Sequence, residues 1–242
     1  MLTVTLPQTD IAQESAPRRK IVIAVDGPAA SGKGTLARKI AERLGYAYLD
    51  TGALYRAVAL AVLEIGGDPS DIEDARPAID IVLRNMTLEL LASPALRQPE
   101  VSAAASKVAA LPEVRKALLA FQRDFAENQP ADVGGAVLDG RDIGTVVCPD
   151  ADVKFFVTAK AEERARRRFL ELKRRHPQLT QETVLEDMLQ RDRRDSGRAI
   201  APAQPAEDAY LLDTTDLSPE AVLDAAIATV RGKLVAATDA VK

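Results

Sequence analysis

The sequence predicts an α/β protein built on a parallel β-sheet, and three observations carry that prediction. Short apolar runs recur along the chain at residues 21–25, 46–49, 136–139, 153–157 and 210–213. Near-continuous apolar strands are what a sheet covered on both faces requires. Between these runs lie longer stretches whose apolar residues recur at helical spacing. Asp26, Asp50, Asp139 and Asp213 fall at or just after the ends of such strands, the rim where parallel sheets bind their ligands.

The elements follow in order. Residues 21–25 read as a buried strand between Lys20 and Asp26-Gly27. Residues 33–44 put Leu36, Ile40 and Leu44 on one helical stripe, and Gly45 stops it. After the strand at 46–49, Asp50-Thr51 can cap a helix that runs through Leu54, Val58, Val62 and Ile65 to Gly66-Gly67. Residues 68–112 are less regular: the pattern predicts a helix over 71–85, a strand over 86–91 and a loop over 92–99, which holds Pro94 and Pro99. Residues 114–125 are helical. Residues 164–175 and 180–194 predict two charged helices joined near His176-Pro177, and 219–235 a closing helix. No internal repeat is visible.

Composition narrows the function classes. The chain has 242 residues, 47% of them hydrophobic, yet no uncharged apolar run reaches the ~18 residues that suggest a membrane span. Residues 1–19 lack the basic-then-apolar pattern of a secretory signal and read as a loose tail. Cys148 is the single cysteine, which suits a reducing cytoplasm. A net charge of −4 argues against general nucleic-acid binding. The segment 164–198 is nonetheless dense in arginine (Arg164, Arg166, Arg167, Arg168, Arg174, Arg175, Arg191, Arg193, Arg194, Arg198). In an acidic protein, one such segment suits a small polyanion. The plainer alternative is a solvated helix face laced with Glu162, Glu163, Glu171 and Asp187.

The segment Gly27-Pro28-Ala29-Ala30-Ser31-Gly32-Lys33-Gly34-Thr35 lies between a predicted strand and a predicted helix. In that context the pattern Gly-x4-Gly-Lys is Walker A-like. Glycines let the backbone curl so that successive N–H groups point inward, and the helix N-terminus adds partial positive charge. Lys33 supplies a full charge to outer phosphates; Thr35 or Ser31 can add a hydrogen bond or help to position Mg²⁺. Gly34 departs from the general pattern, because a hydroxyl residue usually follows the lysine directly. A bare glycine turn would not need the lysine.

The variant Gly-Lys-Gly-Thr is the form found in nucleoside monophosphate kinases. Three further stretches extend the match: 49–56 (Leu-Asp-Thr-Gly-Ala-Leu-Tyr-Arg), 139–151, which opens Asp-Gly-Arg-Asp-Ile-Gly-Thr, and 191–202, which opens Arg-Asp-Arg-Arg-Asp-Ser-Gly-Arg. Over roughly 21–234 the chain resembles the bacterial cytidylate kinases, a family of P-loop phosphotransferases. The resemblance implies a P-loop NTPase core with a five-stranded parallel sheet flanked by helices, a monophosphate-binding domain and a helical lid. On this chain those divisions are core at 20–66, 113–159 and 201–242, monophosphate-binding domain at 67–112 and lid at 160–200. The implied activity is transfer of a phosphoryl group from ATP to CMP or dCMP, with Mg²⁺, in pyrimidine nucleotide metabolism. A cytoplasmic monomer that binds neither nucleic acid nor membrane is the family expectation.

Carried over by motif, Arg56, Arg141 and Arg115 hold the acceptor phosphate, and Thr51, Ser106 and Asp142 read cytosine. Arg191, Asp195 and Arg198 come from the lid to the acceptor ribose or the moving phosphoryl group, and Lys33, Arg141, Arg191 and Arg198 are the expected catalytic set. These roles agree with the chemistry: a phosphate dianion suits forked guanidinium donors, and a carboxylate can accept from the exocyclic amine of cytosine. Arg164, Arg167 and Arg168 share one helix side by spacing, with no role assigned. His176, beside Pro177 in an expected turn, is assigned no catalysis. An adenylate- or shikimate-type kinase, or a non-catalytic nucleotide-binding module, are the alternatives. The stretch from Arg56 to Ser106 is shorter than in the longer bacterial forms, with 92–99 standing where a β-hairpin would fit.

Overall fold

The computed structural model describes residues 20–174 and 176–239. The expected tail at 1–19, Arg175 and the last residues of the expected core segment lie outside that range. Among the described residues, five strands form one sheet: β1 (Ile21–Asp26), β2 (Ala47–Asp50), β3 (Gly135–Gly140), β4 (Val153–Thr158) and β5 (Tyr210–Asp213). Their order is β2-β3-β1-β4-β5, and every pairing is parallel.

Strand β1 alternates its side chains between two cores. Ile23 and Val25 face α1 (Lys33–Leu44) and α9 (Pro219–Asp239), where Leu36, Ile40, Val222, Ala226 and Val230 meet Phe155 and Val157. Ala24 faces the opposite layer, with Leu49, Ala136, Leu138 and Ala126. These helices form for the reasons expected. The stripe of Leu36, Ala37, Ile40 and Ala41 is buried, and Gly45 ends α1 in the left-handed conformation with its N–H on the Ala41 carbonyl.

A third core is entirely helical. Helix α2 (Thr51–Glu64) packs against α3 (Ile72–Arg84), α5 (Pro99–Val108) and α6 (Pro112–Glu127) through Leu54, Val58, Val62, Ile79, Val101, Ala105 and Leu118. Asp50 caps α2 as expected, its side chain accepting from the Ala53 N–H at 3.2 Å. Two expectations fail here. Residues 86–91 are not a strand: Thr87 caps a short helix α4 (Leu88–Ala92) by accepting from the Leu90 N–H at 3.1 Å. The expected loop at 92–99 contains a 3₁₀ turn at Pro94–Arg97 and leads into α5, an alanine-rich helix that the leucine-spacing criterion overlooks. Pro99 opens it, where a missing N–H costs nothing.

The charged helices are α7 (Ala161–Lys173) and α8 (Gln181–Ser196), and His176 sits between them. They bury Ala165, Val184 and Met188 against each other, with Ala29 and Ala30 of the glycine-rich loop packed on that seam. No helix among the described residues is long and apolar enough to cross a membrane.

Leu54 is fully buried at the centre of the helical core. Leu54→Ala should lower the unfolding free energy by about 2–5 kcal/mol, measured by urea denaturation. A loss below about 1 kcal/mol would contradict the packing described.

Candidate active site

Parallel register brings the strand ends together. Asp26 lies opposite Gly140, and Asp50 opposite Asp139. The glycine-rich loop leaves β1 directly. Gly27 has φ 149°, and a Cβ there would lie 2.0 Å from the Val157 carbonyl oxygen, so only glycine fits against β4. Gly32 precedes α1 in the left-handed conformation, with no side chain capping the helix. The first α1 N–H groups therefore have no side-chain cap, which suits an anion. Ser31 is buried, and its hydroxyl has no hydrogen-bond partner among the described residues.

Lys33 reaches from the loop to Asp139, with the ammonium 3.6 Å from the carboxylate. The Tyr48 hydroxyl donates to the other Asp139 oxygen at 2.9 Å. Burial and the nearby positive Arg141 push Lys33 down to about 8, against the pull of Asp139 and Asp50. Burial and the Asp50 charge raise the Asp139 carboxyl, and Lys33 opposes them. Asp50 pairs with Arg56 at 2.6 Å; burial would raise its pKa, but Arg56 and Lys33 hold it below the usual range. Thr51 is buried and donates to the Asp139 carbonyl at 2.8 Å.

A second cluster sits across the cleft. Arg115, in the first turn of α6, pairs with Asp142, and its guanidinium lies 5.6 Å from the centre of the Tyr55 ring. Asp142 opens a single π-helical turn at Ile143–Val147. That turn is held by Asp26, whose two carboxylate oxygens accept from the Ile143 and Gly144 N–H groups at 2.8 Å each. Burial outweighs these bonds and raises Asp26 to about 7.

The third cluster centres on Asp195 of α8, which is buried. Its carboxylate accepts from Arg141 at 3.1 Å, pairs with Arg191 at 3.7 Å and with Arg198, and accepts from the Ser106 hydroxyl at 3.3 Å. Burial would raise its pKa, but the three guanidinium groups win and hold the carboxyl below the usual range. Arg191, desolvated and close to Arg141, is lowered to about 10 despite Asp195.

All three clusters line one cleft of about 470 Å³. Lys33, Thr51, Arg56, Ser106, Arg115, Arg141, Asp142, Arg191, Asp195 and Arg198 all face it, with Ala29 and Ala30 of the loop. Gly32 and Thr35 are exposed at the start of α1. The arrangement is a glycine-rich loop facing a wall of guanidinium groups, among which Arg56, Arg115, Arg141, Arg191 and Arg198 are each paired with a carboxylate.

Comparison with known proteins decides the family. The cytidylate kinase family model matches residues 23–232. The chain belongs to the cytidylate kinase family. The cytidylate kinase of Granulibacter bethesdensis is 53% identical over 214 residues, spanning 88% of this chain and 98% of that one. That of Rhodospirillum rubrum is 53% identical over 86% of this chain and 95% of its own. The cytidylate kinase of Paramagnetospirillum magneticum is 52% identical over 88% and 98%.

In this family member two carboxylates with no assigned site role, Asp50 and Asp139, line the cleft beside Lys33; the sequence places both at strand ends, and Asp50 also at a helix cap. The first aspartate of the Asp-Gly-Arg-Asp stretch was the signal available. Asp213, the fourth strand-end carboxylate, is elsewhere: it accepts from the Thr215 N–H at 2.8 Å on edge strand β5. Arg168 lines the cleft, while Arg164 and Arg167 turn to the loop's base. Arg166 pairs with Glu163 on the exposed face, where the solvated-face reading holds.

Removing the Asp195 charge strands three guanidinium groups. Asp195→Asn should cost about 3–5 kcal/mol of stability at pH 7. Because the folded pKa is depressed below 3.8, the contribution is complete above that value and fades as pH falls through the folded pKa. Urea midpoints of wild type and variant should therefore converge only in acid; equal midpoints at pH 7 would refute the hub.

Proposed function

We propose that the protein transfers the γ-phosphoryl group of ATP to CMP and dCMP, giving ADP with CDP or dCDP. The observation that carries this reading is the single cleft in which the Lys33 loop faces Arg56, Arg141, Arg191 and Arg198 beside the Arg115–Asp142 pair. Family membership supports the same conclusion. The domain division read from the sequence is adopted with it: 67–112 receives the monophosphate, 160–200 is the lid and the remainder is core. The protein is proposed to act as a cytoplasmic monomer, without nucleic acid or membrane partners.

In this reading the residues 27–35 and Lys33 bind the donor phosphates. Arg56 and Arg141 bind the acceptor phosphate, exchanging carboxylate partners for phosphate oxygens. Asp142 accepts from the cytosine amine, and Ser106 and Arg115 donate to the ring acceptors, with Thr51 beside them. Asp195 and Arg198 meet the ribose or the moving phosphoryl group, and Arg191 and Arg198 neutralise charge that develops on it. Positioning and charge neutralisation carry most of the rate in such transfers, and closure of the lid excludes competing water.

The cleft suits Mg²⁺ held mainly by phosphate and water. No group of three or more acidic, histidine or cysteine side chains converges on a metal position among the described residues. Thr35 would supply a hydroxyl, and Asp50 and Asp139 would hold the hydration shell. When bound, the ion would screen the phosphate charge.

An acceptor panel tests the activity. ADP release with CMP, dCMP, UMP, AMP and shikimate should be fastest with CMP or dCMP; faster turnover of AMP or shikimate would overturn the assignment. Base reading has a separate test. Asp142→Ala should shrink the preference for CMP over UMP in kcat/KM by roughly tenfold or more. An unchanged ratio would move base recognition away from Asp142.

A further inference from the structure

Arg164 has no part in the reading above, yet it is buried and each nitrogen of its guanidinium makes a hydrogen bond. Nε donates to the Ala159 carbonyl at 3.0 Å, Nη1 to the Ala29 carbonyl at 3.2 Å and Nη2 to Asp192 at 2.7 Å. Those acceptors belong to the β4–α7 junction, the phosphate loop and α8. Asp192 adjoins Arg191, and its other oxygen is buried without a hydrogen-bond partner among the described residues. Arg164 is thus the group that compensates it. The apolar seam of Ala165, Val184 and Met188 against Ala29 and Ala30 runs beside this fork. A second strap lies along the loop: Arg167 donates to the Thr214 hydroxyl at 2.9 Å, and Thr214 donates to the Ser31 carbonyl at 3.0 Å.

We propose that Arg164 is a positioning residue that sets α8, and with it Arg191 and Asp195, in register with the donor-phosphate loop. The proposal rests on the donor-loop reading given above. A guanidinium is planar and rigid, so the directions of its three donors are fixed together. A shift of the Ala29 carbonyl as the loop closes on phosphates turns the whole fork, and the fork carries Asp192 with it. Lysine cannot reproduce this, because a point charge on a flexible stem lacks the fixed plane.

The test compares Arg164→Ala, Arg164→Lys, Asp192→Asn and the double variant Arg164→Ala/Asp192→Asn with wild type. Three quantities are measured: kcat at saturating CMP, the ATP dissociation constant by calorimetry, and the thermal midpoint. Asp192→Asn removes the charge from the Arg164 bond and so loosens α8 while leaving the loop gripped; kcat should fall roughly tenfold while ATP affinity holds. Arg164→Ala releases both, so kcat should fall by as much and ATP should bind several-fold more weakly. The double variant should match Arg164→Ala in kcat, because both changes cut one unit. Arg164→Lys should recover the thermal midpoint but not kcat. Arg166→Ala, which loses only an exposed pair with Glu163, is the control and should match wild type.

A lowered midpoint with unchanged kcat in Asp192→Asn would overturn the proposal, as would full additivity of the kcat losses in the double variant. Wild-type turnover of CMP separates this proposal from the activity reading. If that turnover is absent, the activity reading fails, and the loss of ATP affinity in Arg164→Ala against its retention in Asp192→Asn still decides the loop grip.

Discussion

The carboxylate of Asp26 holds two sites in one frame. It ends β1, directly before the glycine-rich loop, and both its oxygens accept backbone N–H groups of the turn that follows Arg141 and Asp142. Register alone would bring the ends of β1 and β3 close. The two bonds at 2.8 Å go further and fix the orientation of the turn, so Asp142 meets Arg115 and Arg141 meets Asp195. A buried carboxyl raised to about 7 shows how strongly burial opposes the charge that makes both bonds. Glycine at 27 and at 140 leaves room for this approach: a Cβ on Gly140 would come within 2.7 Å of both Ile143 and the Thr51 hydroxyl.

Around this frame the cleft solves an electrostatic problem. Several guanidinium groups and one ammonium converge where phosphates would sit, and each needs compensation in the free protein. Asp50 serves Arg56, Asp139 serves Lys33, Asp142 serves Arg115, and Asp195 serves Arg141, Arg191 and Arg198. The carboxylates keep the cationic side chains extended and oriented, which reduces the ordering cost when a polyanion arrives. Burial, with the neighbouring Arg141 charge, still lowers Lys33 and Arg191 despite their carboxylate partners.

Much of this was legible in the chain. The strand-loop-helix around Lys33 was readable because a glycine-rich turn between a β-branched run and a helical stripe has few other uses. Arg56, Arg141 and Asp195 came from the resemblance of their motifs to those of the cytidylate kinases. The helices between Asp68 and Pro112 were harder. Residues 86–91 carry apolar side chains with too little length to separate strand from helix, and Thr87 settles it through a cap. Ala103, Ala104 and Ala105 give no leucine stripe, yet α5 buries small side chains closely against α2.

The sequence by itself determined the core strands and most of their helices, and the glycine-rich loop with Lys33 between strand and helix, because these depend on local patterns and fixed spacings. Tertiary structure alone decided which charge meets which. Ser106 and Asp195 are far apart in the chain, as are Arg164 and Ala29, and their contacts arise only when α5, α8 and the loop pack together. A charged side chain's role follows from its partner and its burial, and neither is encoded in spacing. That is why Arg166, Arg167 and Arg164, near-neighbours in one run, face solvent, Thr214 and the glycine-rich loop respectively.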